Sequence, residues 1–309
     1  MPEKILAINL DADDSVFFSR ELEYVKARTY DKKYANLRYS RFLPISTEAD
    51  PGADVITFQS YDQVGMAKII SNYADDLPRC DAKATESSTK VRGIGDSYGY
   101  SVQEIRASRM ANKRLPARKA ATCRRGIEQV MNTLAFTATG VDGLYGLFYN
   151  PNATVNSAPT GGWSTATAAQ KLADMLYAVD TVVTATNGVE IPDTLLMSIA
   201  NYQRITDGPM AAGSDTTVLE FFKKQRPYVN VDWLQECDGL DPKPSGGAGP
   251  VNIMVAYTKD DDHLTFEIPQ PFEQFPAQPR NLEQVVPCHA RCGGVIVYYP
   301  ASVHIVEGL

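Results

Sequence analysis

The sequence predicts an α+β fold, and three features carry that expectation. Helical periodicity is concentrated between about residues 101 and 225, strand-like alternation runs from Val251 onward, and no regular β-α-β alternation joins the two. That order favours antiparallel sheets. With 309 residues, 44% hydrophobic and 22% charged, the chain has enough apolar surface for one elaborated domain or two subdomains.

Through about residue 45, charged and aromatic residues mix without a long period, and Pro44, Pro51 and Gly52 punctuate the next stretch, so an extended arm is expected. Next come two short strand-like pieces, "ADVITFQSYD" and "GMAKIIS", and the polar "KATESSTK", which is too poor in apolar side chains to hold a core alone. Such a segment needs neighbours.

A helix opens at Ser101, with Glu104 at the spacing at which each side chain satisfies the other's free backbone amide. Pro116 inside a helix would remove a hydrogen bond and clash with the preceding turn, so a break is expected near Leu115 and a second helix over 116–136. On that helix Ala120, Cys123, Ile127, Val130, Met131 and Leu134 form one apolar stripe, while Arg118 and Arg125 point away. A helix is expected over 164–179, then a strand in "VEIPDTLLMS", a helix in "SDTTVLEFFKK" capped by Ser214 or Asp215, and a strand in "PYVNVDWL". The loop "DPKPSGGAGP" leads to "VNIMVAYT", a hairpin turn at Asp260, Asp261 and Asp262, and the strands "HLTFEI", "LEQVVPCH", "GGVIVYY" and "ASVHIVE".

Charge is segregated along the chain. Residues 101–137 hold eight Lys or Arg (Arg106, Arg109, Lys113, Arg114, Arg118, Lys119, Arg124, Arg125) against Glu104 and Glu128, an excess of +6 in a chain of net charge −7. A solvated helix face ordinarily mixes both signs. The acidic whole and the lack of a helix-turn-helix or finger context argue against sequence-specific DNA binding, although a basic surface still attracts phosphate. Arginine forms bidentate pairs with carboxylates, and the rest of the chain supplies them, so contact between copies is the favoured use of this face. Arg106, Arg109, Arg118 and Arg125 are the candidate contacts to another copy or to nucleic acid.

Catalytic signals are thin. "GDSYG" matches the G-x-S-x-G pattern that would expose Ser97 as a nucleophile, but the segment before it is too polar for a buried strand and no HGGG-like oxyanion segment occurs. Gly93, Gly95 and Gly99 miss the dinucleotide spacing by one residue. Cys288, His289 and Cys292 lack a paired counterpart for zinc; on a strand the two thiols share one face and the imidazole takes the other. The three aspartates at 260–262 lack the glycine and distal glutamate of a calcium loop. No cofactor or metal is expected, and a Ser97 hydrolase is the alternative from a different functional class. No apolar run of about 18 residues suggests a membrane span, the amino terminus does not read as a signal peptide, and the five scattered cysteines are expected to be reduced in a cytosolic product.

Five stretches, "LPISTEADPGADVITFQSYDQVGMAKIISNYADDLP", "RGIGDSYGYSVQEIRASRMANKRLPARKAATCRRGIEQVMN", "GLYGLFYNPN", "SDTTVLEFF" and "FEIPQPFEQFPAQPRNLEQVVPCHARCGGVIVYYP", resemble in their order one branch of the tailed-bacteriophage major capsid proteins. The resemblance implies a Hong Kong 97-like fold: an N-terminal arm over 1–48, an extended loop over 49–92, a peripheral domain over 93–140 and 260–292 with a long spine helix, and an axial domain over 141–259 and 293–309. It implies self-assembly into hexamers and pentamers of an icosahedral shell in the host bacterial cytoplasm, around double-stranded DNA bound without sequence preference. Portal, scaffolding and decoration proteins are further implied partners, no membrane is involved, and with the arm almost at residue 1 a scaffold is expected from another protein. A bacterial nanocompartment shell of the same fold is the other alternative.

Overall fold

The structure, a computed structural model, describes residues 35–65, 67–69, 79–111, 118–211 and 213–309. The chain divides into Met1–Asn36 and Leu37–Leu309, and every helix and strand among the described residues belongs to the second unit. Most of the expected amino-terminal arm, the expected break near Leu115, and Lys113 and Arg114 lie outside the described residues.

A one-turn helix, α1 (Tyr39–Phe42), and a short strand, β1 (Ile45–Ser46), precede the ten-residue strands β2 (Val55–Val64) and β3 (Asp81–Lys90). Then come β4 (Arg92–Ser101), α2 (Val102–Met110) and the twenty-residue α3 (Arg118–Thr137). The middle holds β5 (Thr154–Ser157), α4 (Ala168–Ala185), β6 (Thr194–Met197), α5 (Ile199–Thr206), α6 (Val218–Gln225) and β7 (Asn230–Trp233). Strands end the chain: β8 (Ile253–Tyr257), β9 (Leu264–Glu267), β10 (Gln270–Gln274), β11 (Gln278–Arg280), β12 (Glu283–Cys292), β13 (Gly294–Val297) and β14 (Val303–Glu307).

One sheet runs β5-β14-β8-β6-β7 and is covered on both faces. Along β8, Met254 and Ala256 join the core beneath α4 and α6, whereas Ile253, Val255 and Tyr257 join the core that also takes Ile127, Met131 and Phe136 of α3. A strand buried on both sides must be apolar throughout, which is why "IMVAY" shows no alternation. In a second sheet β4 pairs with β12 along its whole length, with β10 and β11 in tandem on the opposite edge of β12. β1-β9-β13 form a third sheet, and the expected boundary between residues 292 and 293 passes between the paired strands β9 and β13.

Several details differ from the sequence expectations. The sheets are mixed: β6 with β7, β5 with β14 and β1 with β9 are parallel pairs, because α5 and α6 form a crossover and distant segments enter beside the terminal strands. The turn at Asp260–Asp262 joins β8 to β9, which belong to different sheets, so it closes no hairpin. Thr217, not Ser214 or Asp215, caps α6, with Glu220 completing the reciprocal pair, and α4 starts at Ala168 behind the same arrangement of Thr167 and Gln170. Residues 37–46 are docked: Phe42 and Leu43 are buried, Tyr257 Oη donates to Phe42 O at 2.8 Å, and Phe266 N donates to Pro44 O at 2.8 Å. Gly65 and residues 67–69 are not strand, and the remainder of "GMAKIIS" lies outside the described residues.

Candidate assembly surface

The basic segment begins where β4 ends. Ser101 Oγ accepts from Glu104 N and Glu104 Oε2 accepts from Ser101 N, both at 3.1 Å, so α2 starts on the expected capping pair. Lys119 Nζ donates to Glu104 Oε2 at 3.0 Å and to Gly99 O at 2.8 Å, tying the first turn of α3 to both α2 and β4. That hydrogen bond from Lys119, with the Ser101 amide, holds the Glu104 carboxyl below its ordinary range. Arg124 Nε meets Glu128 Oε1 at 2.9 Å one turn along α3. Both acids of the segment are thus taken by Lys119 and Arg124. Arg106 and Arg109 are exposed on α2, where no residue is buried, and among the described residues neither makes an ion pair. Arg118 is exposed and Arg125 half-buried, and each has a partner.

The buried arc of α3 is Cys123, Ile127, Met131, Asn132, Ala135 and Phe136, while Val130, expected in the stripe, is 44% exposed. The sheet of β4 and β12 meets the arc at Cys123, and Val130 lies about 100° off Met131. Cys123 meets Cys288 of β12, and burial, reinforced by that contact, pushes the Cys123 thiol up to about 12. Asn132 was not legible as a site residue: its Oδ1 accepts from Arg38 N and Tyr39 N, both at 3.2 Å, and its Nδ2 donates to Glu236. Arg38 also donates to Trp233 O at 2.9 Å and lies 3.5 Å over the Trp233 ring, and Arg41 pairs with Asp232. A lone Asn or Asp carries no sequence signal for partners 93 to 191 residues away.

The β2–β3 hairpin pairs in register from Val55 with Lys90 to Val64 with Asp81. At ten residues a strand, it extends about 33 Å. Along β3 every side chain except that of Thr89 is exposed, and Tyr61 on β2 is 68% exposed. The foot is fixed differently. Thr89 Oγ1 donates to Gly293 O at 3.0 Å, Arg291 Nη2 donates to Asp54 Oδ1 at 2.8 Å, and Phe58 sets its ring edge-on to Tyr298 with centroids 5.2 Å apart.

Among the described residues the alternative chemistries lack the geometry they require. Ser97 lies in mid-strand on β4 opposite Pro287, where it is exposed but lacks the strand-to-helix turn that a nucleophile elbow requires. Its glycines belong to the same strand. Cys288 and Cys292 are buried while His289 takes the other face, and among the described residues no three metal-ligating side chains cluster. No helix among the described residues is long and apolar enough to cross a membrane.

Solved structures share this architecture. The capsid of Myoviridae Phage XM1 matches with a TM-score of 0.81 at 17% identity, over 96% of this chain and 100% of that one. Mycobacterium phage Bobi matches with a TM-score of 0.63 at 12% identity over 93% and 96%, and a virus-like particle from Pyrococcus furiosus with 0.55 at 10% over 87% and 91%. No curated protein matches. This is the tailed-phage major capsid fold, and its class is that of structural shell proteins. The sequence model of the family described as major capsid protein matches residues 65–309, and the chain belongs to that family. It is a structural component of a virion capsid that assembles with its own copies.

Proposed function

We propose that the chain builds hexameric and pentameric capsomers of an icosahedral shell around double-stranded DNA, assembled in the host bacterial cytoplasm. In this reading residues 1–48 are the arm, 49–92 the extended loop laid on a neighbouring copy, 93–140 and 260–292 the peripheral domain with α3 as spine, and 141–259 and 293–309 the axial domain. Arg106, Arg109, Arg118 and Arg125 serve contacts between subunits or with the genome. Portal, scaffolding and decoration proteins are further partners in this reading.

The observation that carries this reading is the hairpin: a ten-residue β3 exposed along its length save Thr89, paired with a β2 on which Val55, Thr57, Gln59, Ser60 and Tyr61 are exposed, above a firmly bonded foot. An isolated two-stranded ribbon is marginal in water, so a surface outside the chain must cover it. Electron microscopy of the purified chain tests the reading. Closed, uniform shells are expected, and their loss is expected when residues 58–87 are replaced by a four-residue turn while the melting temperature of the remainder is kept. A chain that stays monomeric at all concentrations, or whose shortened form still closes shells, would overturn it.

A further inference from the structure

A groove of about 750 Å³ lies at the foot of the hairpin, and its lining includes Glu48, Phe58, Tyr61, Asp261, Asp262 and Tyr299. Among the described residues no Lys or Arg lines it. Among them, too, Glu48, Asp261 and Asp262 make no ion pair, and all three are exposed. Glu48 and Asp261 both raise the pKa of Tyr298, after burial and Glu267, which places their carboxylates around one phenol. Tyr61 and Tyr299 are 68% and 50% exposed beside them.

The same chain carries the complement elsewhere. Arg106 and Arg109, three residues apart, share one face of α2, a helix with no buried residue and no ion pair for either arginine among the described residues. Met110 comes next at 91% exposure. Guanidinium groups bind carboxylates through two parallel hydrogen bonds and stack on aromatic faces, and a neighbouring thioether adds an adaptable apolar contact. Three carboxylates flanked by tyrosines fit two arginines followed by a methionine.

Resting on the proposed shell function, we propose that this groove is the seat for α2 of a second copy of the chain, with Arg106 and Arg109 entering between Glu48, Asp261 and Asp262. The contact is heterologous, groove to helix, and a ring of copies forms where its rotation closes, as a capsomer requires.

Charge exchange tests it. Arg106→Glu with Arg109→Glu, and separately Glu48→Lys with Asp261→Lys and Asp262→Lys, should each lower shell yield by about ten-fold, the effect of about 1.4 kcal/mol. All five changes in one chain should restore the yield, because every contact between copies then pairs opposite charges again. Normal assembly by either partial variant overturns the proposal, as does failure of the five-fold variant with its melting temperature unchanged. Should that variant not fold, a Cys80→Ser, Arg109→Cys, Asp261→Cys chain decides: oxidation of its shells should give covalent multimers, and monomers alone would overturn the pairing. Full shells that merely lose DNA from the arginine variant would assign these arginines to the genome and also overturn it. Absence of shells from the unaltered chain defeats the shell reading itself, whereas the other failures defeat only this contact.

Discussion

Arg291 on β12 reaches back 237 residues to Asp54, closing a 2.8 Å ion pair that fastens the foot of the hairpin to the strand beneath it. The same guanidinium donates to Pro51 O. Arg291 is 16% exposed and Asp54 89%, so water screens one end of the pair and its net contribution is small, at most about 1 kcal/mol. Its value is positional: it fixes where a 33 Å ribbon leaves the body, by the spacing of about 3.3 Å per residue.

Arg291→Ala should therefore leave the urea midpoint nearly unchanged while speeding proteolytic cleavage near residues 50–54. Unchanged cleavage would show that Thr89 and the Phe58–Tyr298 contact hold the foot alone.

Gly294 has φ +75°, and a Cβ there would meet Tyr145 O at 2.9 Å. The left-handed backbone costs a residue with a Cβ roughly 1–2 kcal/mol and the contact is with backbone that cannot turn aside, so Gly294→Ala should lose more than about 2 kcal/mol in denaturant unfolding. Val295 N donates to Tyr145 O at 2.8 Å beside it, so the bond joining β13 to this loop should weaken too.

Phe136 is fully buried and stacked on Phe148 with centroids 5.6 Å apart, whereas Val130 one and a half turns earlier is exposed. Phe136→Ala should cost about 3–5 kcal/mol, and Val130→Ala should stay within about 0.5 kcal/mol. Calorimetric melting of both variants measures which arc of α3 faces the core.

His304 is buried between Asn156 and Ala178: Nδ1 lies 2.9 Å from Ala178 O and Nε2 3.0 Å from Asn156 Nδ2. With an amide facing Nε2 and a carbonyl facing Nδ1, the network assigns the neutral tautomer protonated on Nδ1. Burial lowers its pKa below the ordinary 6.5. The unfolded chain therefore takes the proton first as pH falls, and stability is lost through and below that range. Asn156→Asp should reduce the loss between pH 7 and 5 by giving imidazolium an acceptor. Parallel melting curves for the two chains across that range would reject the assignment.

Legibility followed the range of each interaction. The capping pair Ser101–Glu104 spans one turn and was read from the sequence; Thr167–Gln170 and Thr217–Glu220 have the same spacing but were passed over for a start near residue 164 and for Ser214 or Asp215. The all-apolar β8, the predominance of helices in the middle and of strands at the end, and the excess of positive charge over 101–137 were also present in the residues themselves, whereas β4, β5, α5, β10 and β11 were not expected. The mooring by Asn132 and Asp232 was not.

By itself the sequence determined which stretches fold locally, which cannot bury themselves, and which sign of charge each carries, because those depend on neighbours within a few residues. Tertiary structure alone decided that Lys119 takes Glu104 of the basic segment and that Val130 faces outward. It also decided that β6 and β7 run parallel and that Arg291 anchors the hairpin. Each of these is settled by packing between segments far apart in the chain, whose meeting no local periodicity encodes.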